Sequence, residues 1–366
     1  MKAMVLAAGK GTRLLPLTGE VPKPMAPVAG KPIIQHIFEL LAGSGIEEVH
    51  VNVCYLAEAI LQSYGEKAQV NGMTVDFARE EELMGTAGGV KRLADRFDET
   101  FVVVMGDALT DIDVREVVAF HKEKGALATL ALMPVDDTSQ YGVVQLDPEK
   151  NILHFQEKPH LREAISTLAN TGIYVLEPEV LEYVPENTFF DFAQDVFPRL
   201  LEAGEKFLGY EGDFYWSDIG NLEAYRAAQR DVLWGKVRVQ IPGERWGKGF
   251  WVERDALLDP TASFEGQVVI RRNVVVGRGA TFVGDVTVGS GCLVQTRGNH
   301  QAEHLARRRL RRGKVLPGGL RSGARLRSAS GRADPRQSPC PQGLLKQGLL
   351  VLGGDIDTRG TGNAYN

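Results

Sequence analysis

The chain has 366 residues, of which 43% are hydrophobic and 24% charged, and its formal net charge is −5. This length allows two domains with substantial cores, and the acidic balance argues against nucleic acid as a partner. The three cysteines lie far apart without metal-ligand or disulfide spacing, and no stretch is apolar enough to span a membrane. We therefore expect a cytoplasmic protein without a membrane partner.

The first predicted element is a short buried strand, Met4 to Ala8, which runs into the glycine loop Gly9-Lys-Gly. Glycine lets the backbone adopt positive φ, so the N–H groups of such a loop can close on an anion. Lys10, Arg13 and Lys23 place three cations near this loop. A glycine loop together with three cations indicates a binding site for nucleotide phosphates. Taken alone, the loop is explained equally well as a tight turn between a strand and a helix, because it matches neither the Walker motif nor the dinucleotide-binding motif.

Strands and helices alternate over the next hundred residues. Apolar runs predict strands at 48–53, 73–78 and 100–105, and helical spacing predicts helices at 32–42, 56–64 and 86–97. Such alternation indicates a doubly wound α/β domain, here residues 1–232, with a mixed, mainly parallel sheet that becomes antiparallel after Ala126. Ligands of these sheets bind at the carboxyl ends of the strands, where the glycine loop and Asp107 both lie.

Asp107 follows the apolar strand that ends at Met105, so its carboxylate emerges at this edge of the sheet. Mg²⁺ prefers hard oxygen ligands and usually takes one or two carboxylates together with phosphates and waters. We therefore expect Asp107 to bind Mg²⁺. Asp111 and Asp113 are close enough to compete, but capping of the following helix is the favoured role of both.

Three short motifs occur in order near the N-terminus: LAAGKGTRL at 6–14, PKPM at 22–25 and GKP at 30–32. Together they strongly resemble the opening of the sugar-nucleotidyltransferases, the pyrophosphorylases that join a nucleoside triphosphate to a sugar 1-phosphate. The resemblance runs from Met1 to about Arg230 and implies a Rossmann-like, nucleotide-diphospho-sugar transferase fold. It assigns the neutralisation of the triphosphate to two catalytic residues, Arg13 and Lys23. It also implies nucleotide contacts from the strand end and the loop, namely from Leu6, Ala8, Gly9, Gly11 and Thr12.

A later motif, LMGTAGG at 83–89, lies beside the nucleobase in this family, which makes Gly85 and Thr86 candidates for contacts with the base. From the residues alone, a loop and a helix cap at Thr86 explain the motif as well. The acidic run Glu80–Glu82 is interpreted as a solvated surface.

The resemblance continues through motifs around Tyr141, Glu157 and Asn170. It implies that Gly142 and Glu157 contact sugar hydroxyls and that Lys158 contacts the sugar phosphate. It also implies that Asn170 and Thr171 line the sugar pocket. In the segment YWSDIG at 215–220, Asp218 is expected to join Asp107 on the metal, with capping of helix 221–232 as the alternative.

A six-residue period begins at Leu258 and predicts a second domain. Large apolar residues recur six apart from Leu258 to Val294, and small or apolar residues stand four positions after each of them. This hexapeptide pattern predicts a short left-handed parallel β-helix over 258–296, with 233–257 as a linker. Its six complete hexads make two coils.

The period stops near Arg297, and the charge reverses there. Up to Thr296 the chain has 28 Lys and Arg against 43 Asp and Glu, whereas residues 297–366 have 14 against 4. A tail this poor in large apolar residues is expected to be disordered. We interpret it as the product of a frameshift, because the repeat breaks mid-coil; a native basic arm is the alternative. Hexads in another frame of the coding DNA would decide between them.

The motifs GTAG and GDALTD and the hexapeptide extension most resemble mannose-1-phosphate guanylyltransferases. This implies that the substrates are GTP and mannose 1-phosphate, with GDP-mannose as the product. Glucose-1-phosphate uridylyl-, thymidylyl- and adenylyltransferases stay as alternatives, as does a non-catalytic sugar-nucleotide sensor or assembly subunit. The enzyme is favoured because all five charged positions are present: Arg13, Lys23, Asp107, Lys158 and Asp218. A homo-oligomer is an open alternative to a monomer.

Overall fold

The structure, a computed structural model, describes residues 1–295, 325–328 and 349–352. It divides into two compact units. The first consists of Met1–Leu15, Pro22–Pro24 and Ile33–Gly220, and the second of Pro16–Val21, Met25–Pro32 and the chain from Asn221.

The strands up to residue 220, in chain order, are β1 (Lys2–Leu6), β2 (Pro27–Val28), β3 (Lys31–Pro32), β4 (Glu48–Val53), β5 (Lys67–Val70), β6 (Met73–Arg79), β7 (Phe101–Met105), β8 (Ala108–Thr110), β9 (Ala128–Pro134), β10 (Gly142–Leu146), β11 (Ile152–Glu157), β12 (Leu168–Leu176), β13 (Phe207–Glu211) and β14 (Trp216–Asp218). The helices are α1 (Ile33–Gly43), α2 (Ala57–Tyr64), α3 (Gly85–Lys91), α4 (Val114–Lys124), α5 (Phe197–Ala203) and α6 (Leu222–Leu233).

The first unit is organised on a ten-stranded mixed sheet. Its centre is parallel, since β1 pairs with β4 and β7 and β4 pairs with β6. On the other side of β7 the pairing becomes antiparallel through β12, which also pairs with β9 and β10. The predicted doubly wound, mixed sheet is therefore confirmed, including its change of direction after Ala126.

The central elements form because apolar residues fill their buried positions. Phe101 to Val104 of β7 are fully buried, and α1 buries Ile33, Ile37 and Leu41 at helical spacing. Helix α3 is shorter than predicted and ends at Lys91. Two consecutive glycines within it are poor helix formers, so its length depends on packing rather than on propensity.

The strands of the second unit, in chain order, are β15 (Glu244–Gly247), β16 (Phe250–Val252), β17 (Leu257–Leu258), β18 (Ser263–Glu265), β19 (Val268–Ile270), β20 (Val275–Val276), β21 (Thr281–Val283), β22 (Asp285–Val288), β23 (Cys292–Gln295), β24 (Arg325–Ser328) and β25 (Leu349–Leu352). Phe250 pairs in parallel with Val268, and Val268 with Val286. Each step advances the chain by one coil of three hexapeptides. This 18-residue step agrees with the predicted six-residue period, and the apolar positions of the repeat form the core of this unit.

Two boundaries differ from the expected ones. Helix α6 groups with the second unit, where the hydroxyl of Tyr225 donates to the carbonyl oxygen of Pro27 at 2.6 Å and the N–H of Ala29 donates to Gln229 Oε1 at 2.8 Å. The expected linker 233–257 contains β15 and β16, and β16 already pairs with β19. The coils therefore begin before the first recognisable hexad.

Within the predicted tail, the structure describes two strands. β24 pairs antiparallel with β23, and β25 pairs antiparallel with β22. The other residues of 297–366 lie outside the described part of the chain, and the disorder of the tail stays a prediction. No helix among the described residues combines the length and apolarity needed to cross a bilayer.

Candidate active site

The glycine loop lies at the carboxyl end of β1, as predicted. Gly11 adopts the left-handed conformation, with φ of +60°, and opens a short 3₁₀ turn over Thr12–Leu14. The N–H of Ala7 donates to the side-chain oxygen of Asn52 at 2.9 Å. Because Asn52 belongs to β4, the neighbouring parallel strand, the start of the loop is fixed to the sheet.

This loop forms one wall of a cavity of about 160 Å³. The cavity is lined by Leu6, Ala7, Gly9, Gly11, Thr12, Arg13, Lys23, Pro24, Asp107 and Gly220. Most of the residues predicted to contact the triphosphate therefore share one cavity. Ala8 is 8% exposed and is not among the lining residues.

Lys23 lies between two carboxylates in this site. Its Nζ is 2.6 Å from Asp107 Oδ2 and 3.0 Å from Asp218 Oδ1. The guanidinium of Arg13 lies 3.8 Å from Asp218 Oδ2. Burial alone would lower the pKa of the Lys23 amine, but the two carboxylates outweigh it and raise that pKa. Lys23 is therefore a charged ammonium group near neutral pH.

A small ribbon brings the two carboxylates together. β14 pairs antiparallel with β8, and the register sets Asp218 opposite Ala108, the residue after Asp107. Within the same region, Asp111 accepts the N–H of Tyr215 at 2.7 Å, and Asp113 caps α4. Capping is thus confirmed for Asp113, whereas Asp111 holds the chain that leads into β14.

The carboxylate pair suits a hard divalent cation. Asp107 Oδ2 and Asp218 Oδ1 both lie within 3.0 Å of one point, the Lys23 nitrogen. Among the described residues, no group of three or more His, Cys, Asp or Glu side chains could hold a metal. Two carboxylates with the remaining ligands taken from phosphate and water is the arrangement that Mg²⁺ commonly adopts.

Gly85 and Thr86 are bound to a different segment of the chain. The Thr86 hydroxyl donates to Asp191 Oδ2 at 2.8 Å and accepts the N–H of Phe192 at 2.9 Å. Two N–H groups at the start of α3, those of Ala87 and Gly88, also donate to the carbonyl oxygen of Phe190. Thr86 does not cap α3, whose N-cap is Met84 without a side-chain bond.

On the predicted sugar side, the strand pairing joins two of the motifs. Gly142 stands opposite Glu157 in the antiparallel pair of β10 and β11, and Lys158 Nζ forms an ion pair with Glu157. Asn170 lies at an irregularity in β12, where its side-chain oxygen accepts the N–H of Gly172 at 3.0 Å. Thr171 is 2% exposed and its hydroxyl donates to a backbone carbonyl, so its side chain faces the interior.

An aromatic pair, which no sequence motif had indicated, joins this side to β14. Tyr141 and Trp216 meet edge to face with ring centroids 5.1 Å apart. The indole N–H of Trp216 donates to the carbonyl oxygen of Thr171 at 2.9 Å, and the N–H of Lys158 donates to the carbonyl oxygen of Tyr141 at 3.1 Å. Burial, and next the charge of Asp218, raises the pKa of the Tyr141 phenol.

Glu80 contradicts its interpretation as part of a solvated surface. It is 5% exposed and accepts a hydrogen bond from Asn52 Nδ2 at 2.9 Å. Burial raises the pKa of its carboxyl group. Since Asn52 also binds the loop at Ala7, a buried chain of contacts runs from Glu80 to the loop. The alternating pattern of β6 predicts that Glu80 directly follows the strand. It does not predict that the Glu80 side chain is buried.

Several known proteins are similar to this chain. The family model described as nucleotidyl transferase matches residues 2–234. A UTP–glucose-1-phosphate uridylyltransferase of Synechocystis sp. is 40% identical over 310 residues, which cover 80% of each chain. A mannose-1-phosphate guanylyltransferase of Mycobacterium tuberculosis is 32% identical, with 80% of this chain and 82% of the relative covered.

Solved structures agree on the fold. HddC from Yersinia pseudotuberculosis, complexed with GMP-PN, has a TM-score of 0.55 and 28% identity, covering 63% of this chain and 99% of its own. A UDP-glucose pyrophosphorylase complexed with UDP-glucose has a TM-score of 0.56 at 22% identity, covering 64% of this chain and 98% of its own. The family match and the curated relatives together establish that this chain belongs to the nucleotidyl transferase family.

Proposed function

We propose that this protein joins a nucleoside triphosphate to a sugar 1-phosphate and releases pyrophosphate. One observation carries the proposal. Lys23 and Arg13, two cations, and Asp107 and Asp218, two carboxylates, meet beside a glycine loop in the same cavity. A triphosphate needs such a combination, because its own charge must be offset while one of its phosphorus atoms is exposed to attack.

In the proposed reaction a phosphate oxygen of the sugar 1-phosphate attacks the α-phosphorus in line, and pyrophosphate leaves with the bonding electrons. No covalent intermediate with the protein is needed, so the residues act by positioning and by charge. The loop N–H groups and Thr12 bind the phosphates, while Arg13 and Lys23 stabilise the charge that builds on the leaving group. Asp107 and Asp218 would hold a divalent ion, for which we propose Mg²⁺, and the bound ion would supply further positive charge.

The base and the sugar are proposed as two alternatives. The motif pattern and the 32% identical guanylyltransferase favour GTP and mannose 1-phosphate, with Gly85 and Thr86 near the base. The 40% identical uridylyltransferase favours UTP and glucose 1-phosphate. Gly142, Glu157, Lys158 and Asn170 would form the sugar-phosphate side in either case. Thr171, whose side chain faces the interior, would support this side from within β12.

A pyrophosphate-release screen tests the proposal. Four nucleoside triphosphates are combined with mannose, glucose and N-acetylglucosamine 1-phosphates in the presence of Mg²⁺. We expect one base and one sugar to dominate. Release with no pair would contradict the enzyme and favour the non-catalytic sensor or assembly subunit.

Variants of the carboxylates test the assigned site. Asp107→Asn and Asp218→Asn are expected to lower kcat by at least about a hundredfold, because each removes one of the two carboxylates that would hold the divalent ion. Asp113→Asn is the matched control, since Asp113 caps α4 and pairs with Arg115. It should lower stability by less than about 1 kcal/mol, because asparagine caps a helix about as well as aspartate does, and it should leave kcat unchanged. Near-normal turnover of either site variant would refute the assignment.

A further inference from the structure

The ammonium group of Lys23 contacts both carboxylates that would hold a cation. It lies within 3.0 Å of one oxygen of Asp107 and one of Asp218. The Lys23 side chain is only 8% exposed, whereas the side chain of Arg13 is 58% exposed and contacts Asp218 at 3.8 Å. Lys23 is thus the inner cation of the pair and Arg13 the outer one.

A metal ion at these carboxylates would compete with the ammonium group of Lys23 for the same two oxygens. Mg²⁺ would take carboxylate oxygens as ligands at about 2.0–2.1 Å, and Lys23 already holds one oxygen of Asp107 and one of Asp218. Two cations at such short range would also repel each other in a site that is partly shielded from water. Competition for the carboxylates and repulsion between the cations both favour an exchange of one for the other.

We propose that Lys23 closes the metal site of the substrate-free protein, and that a divalent cation displaces its ammonium group from Asp107 and Asp218 and frees it for the phosphates. The inference rests on the proposed function, because it takes the triphosphate as the ligand that receives Lys23. Lys23 lines the same cavity as Gly9, Gly11 and Thr12, so the freed amine stays beside the phosphate loop.

This exchange couples the two ligands. Without nucleotide, a metal ion must break an internal ion pair and leave Lys23 without a partner. With nucleotide, the phosphates replace the lost carboxylates, so each ligand strengthens the binding of the other by the same factor. Lys23 thereby lowers the affinity for a metal ion when no triphosphate is bound.

The experiment measures metal binding without nucleotide. Mn²⁺ serves as the probe and is titrated into the full chain, with free Mn²⁺ followed by electron paramagnetic resonance. Lys23→Met removes the charge and keeps most of the side-chain stem. We expect its Mn²⁺ affinity to rise about tenfold or more, because the competing cation is gone. Lys10→Met is the control, since Lys10 is exposed on the same loop and is not paired with either carboxylate among the described residues. It should change the affinity less than about threefold.

An Mn²⁺ affinity of Lys23→Met that is equal to or weaker than that of the wild type would overturn the exchange. A second measurement on the wild type covers the case in which the variant does not fold. Acetic anhydride labelling, read by peptide mass spectrometry, should acetylate Lys23 about threefold faster when Mn²⁺ is added, relative to Lys10, because the amine leaves its ion pair. Unchanged or slower labelling would also overturn the proposal.

These results are separate from those of the pyrophosphate screen. An active wild type without the Mn²⁺ effects refutes the exchange alone. The Mn²⁺ effects in a protein that is inactive with every substrate pair support the exchange at the carboxylates and refute the proposed function.

Discussion

A Cβ atom added to Gly85 would clash with the carbonyl oxygen of Phe190, and Gly85 has φ of +76°. The same carbonyl oxygen accepts the N–H groups of Ala87 and Gly88 at 2.9 and 3.0 Å. The start of α3 is therefore docked on the backbone of a distant segment. Close packing requires glycine here, whether or not a nucleobase also contacts it.

The first prediction concerns Gly85→Ala. A methyl group at this position meets backbone rather than a flexible side chain, and the backbone conformation is unfavourable for alanine. We expect a loss of at least about 1–3 kcal/mol in the free energy of unfolding, measured with urea. Gly43→Ala is the control: it is the last residue of α1, and an added Cβ meets nothing within 4 Å. Equal stability of the two variants would contradict the packing argument.

The second prediction separates two roles of Thr86. Thr86→Val keeps the shape but removes the hydroxyl that binds Asp191 and the N–H of Phe192. A structural role predicts a loss of about 1–3 kcal/mol, because a partly buried N–H loses its acceptor, and recovery in Thr86→Ser. A role in base contact alone predicts a higher KM for the nucleoside triphosphate and unchanged stability. Urea unfolding and initial rates together distinguish them.

The third prediction assigns Lys158 to the sugar phosphate. Lys158→Met is expected to raise the KM for the sugar 1-phosphate about tenfold or more, with the KM for the nucleoside triphosphate nearly unchanged, since a charged hydrogen bond is lost. Lys150→Met is a close control, because Lys150 also has a positive φ and pairs with a glutamate, Glu211, at 2.6 Å. If Lys158→Met disturbed the triphosphate alone, the assignment would be wrong.

Much of the fold follows from local patterns. The helical spacing of Ile33, Ile37 and Leu41 and the apolar run of β7 specify their elements because their periods match the burial that the structure gives them. The hexads specify a coil for the same reason. These signals lie within single elements, and no distant residue is needed to interpret them.

The site was less predictable, because its contacts join distant parts of the chain. Asp218 approaches Asp107 through the pairing of β14 with β8, two strands too short to show a period. Thr86 forms a hydrogen bond with Asp191, 105 residues away in the sequence. The buried Glu80 forms one with Asn52. Acidic residues in a run are usually solvated, so only the tertiary structure identifies the buried one.

The fourth prediction concerns a buried histidine. His121 is fully buried; its Nδ1 lies 2.9 Å from Thr129 Oγ1 and its Nε2 lies 3.1 Å from Glu177 Oε1. Burial lowers the pKa of the imidazole, although the bond to Glu177 opposes it. The folded protein therefore favours the neutral ring, whereas the unfolded chain takes up a proton near pH 6.5.

The stabilisation that comes from the neutral His121 ring is thus expected to be fully present above pH 6.5. The free energy of unfolding should fall as the pH is lowered through that value. His121→Asn should be less stable than the wild type at pH 7.5 but should lose less on acidification, by up to about 1.4 kcal/mol per pH unit. His154→Asn, at an exposed position of β11, should keep the wild-type slope. Urea unfolding between pH 5 and 8 measures all three. Parallel slopes for the wild type and His121→Asn would refute the role of His121.

The last prediction is that the basic tail is dispensable for catalysis. Every residue that we assign to a substrate or metal precedes Leu222, so a chain that ends at Thr296 should keep kcat/KM within about twofold. The truncation removes β24 and β25, which pair with β23 and β22, and so leaves two strand edges open. Open edges favour association, and we expect a larger species in size-exclusion chromatography without loss of turnover. A truncated chain that stays folded by circular dichroism but loses nucleotidyl transfer would show that the tail contributes to the site.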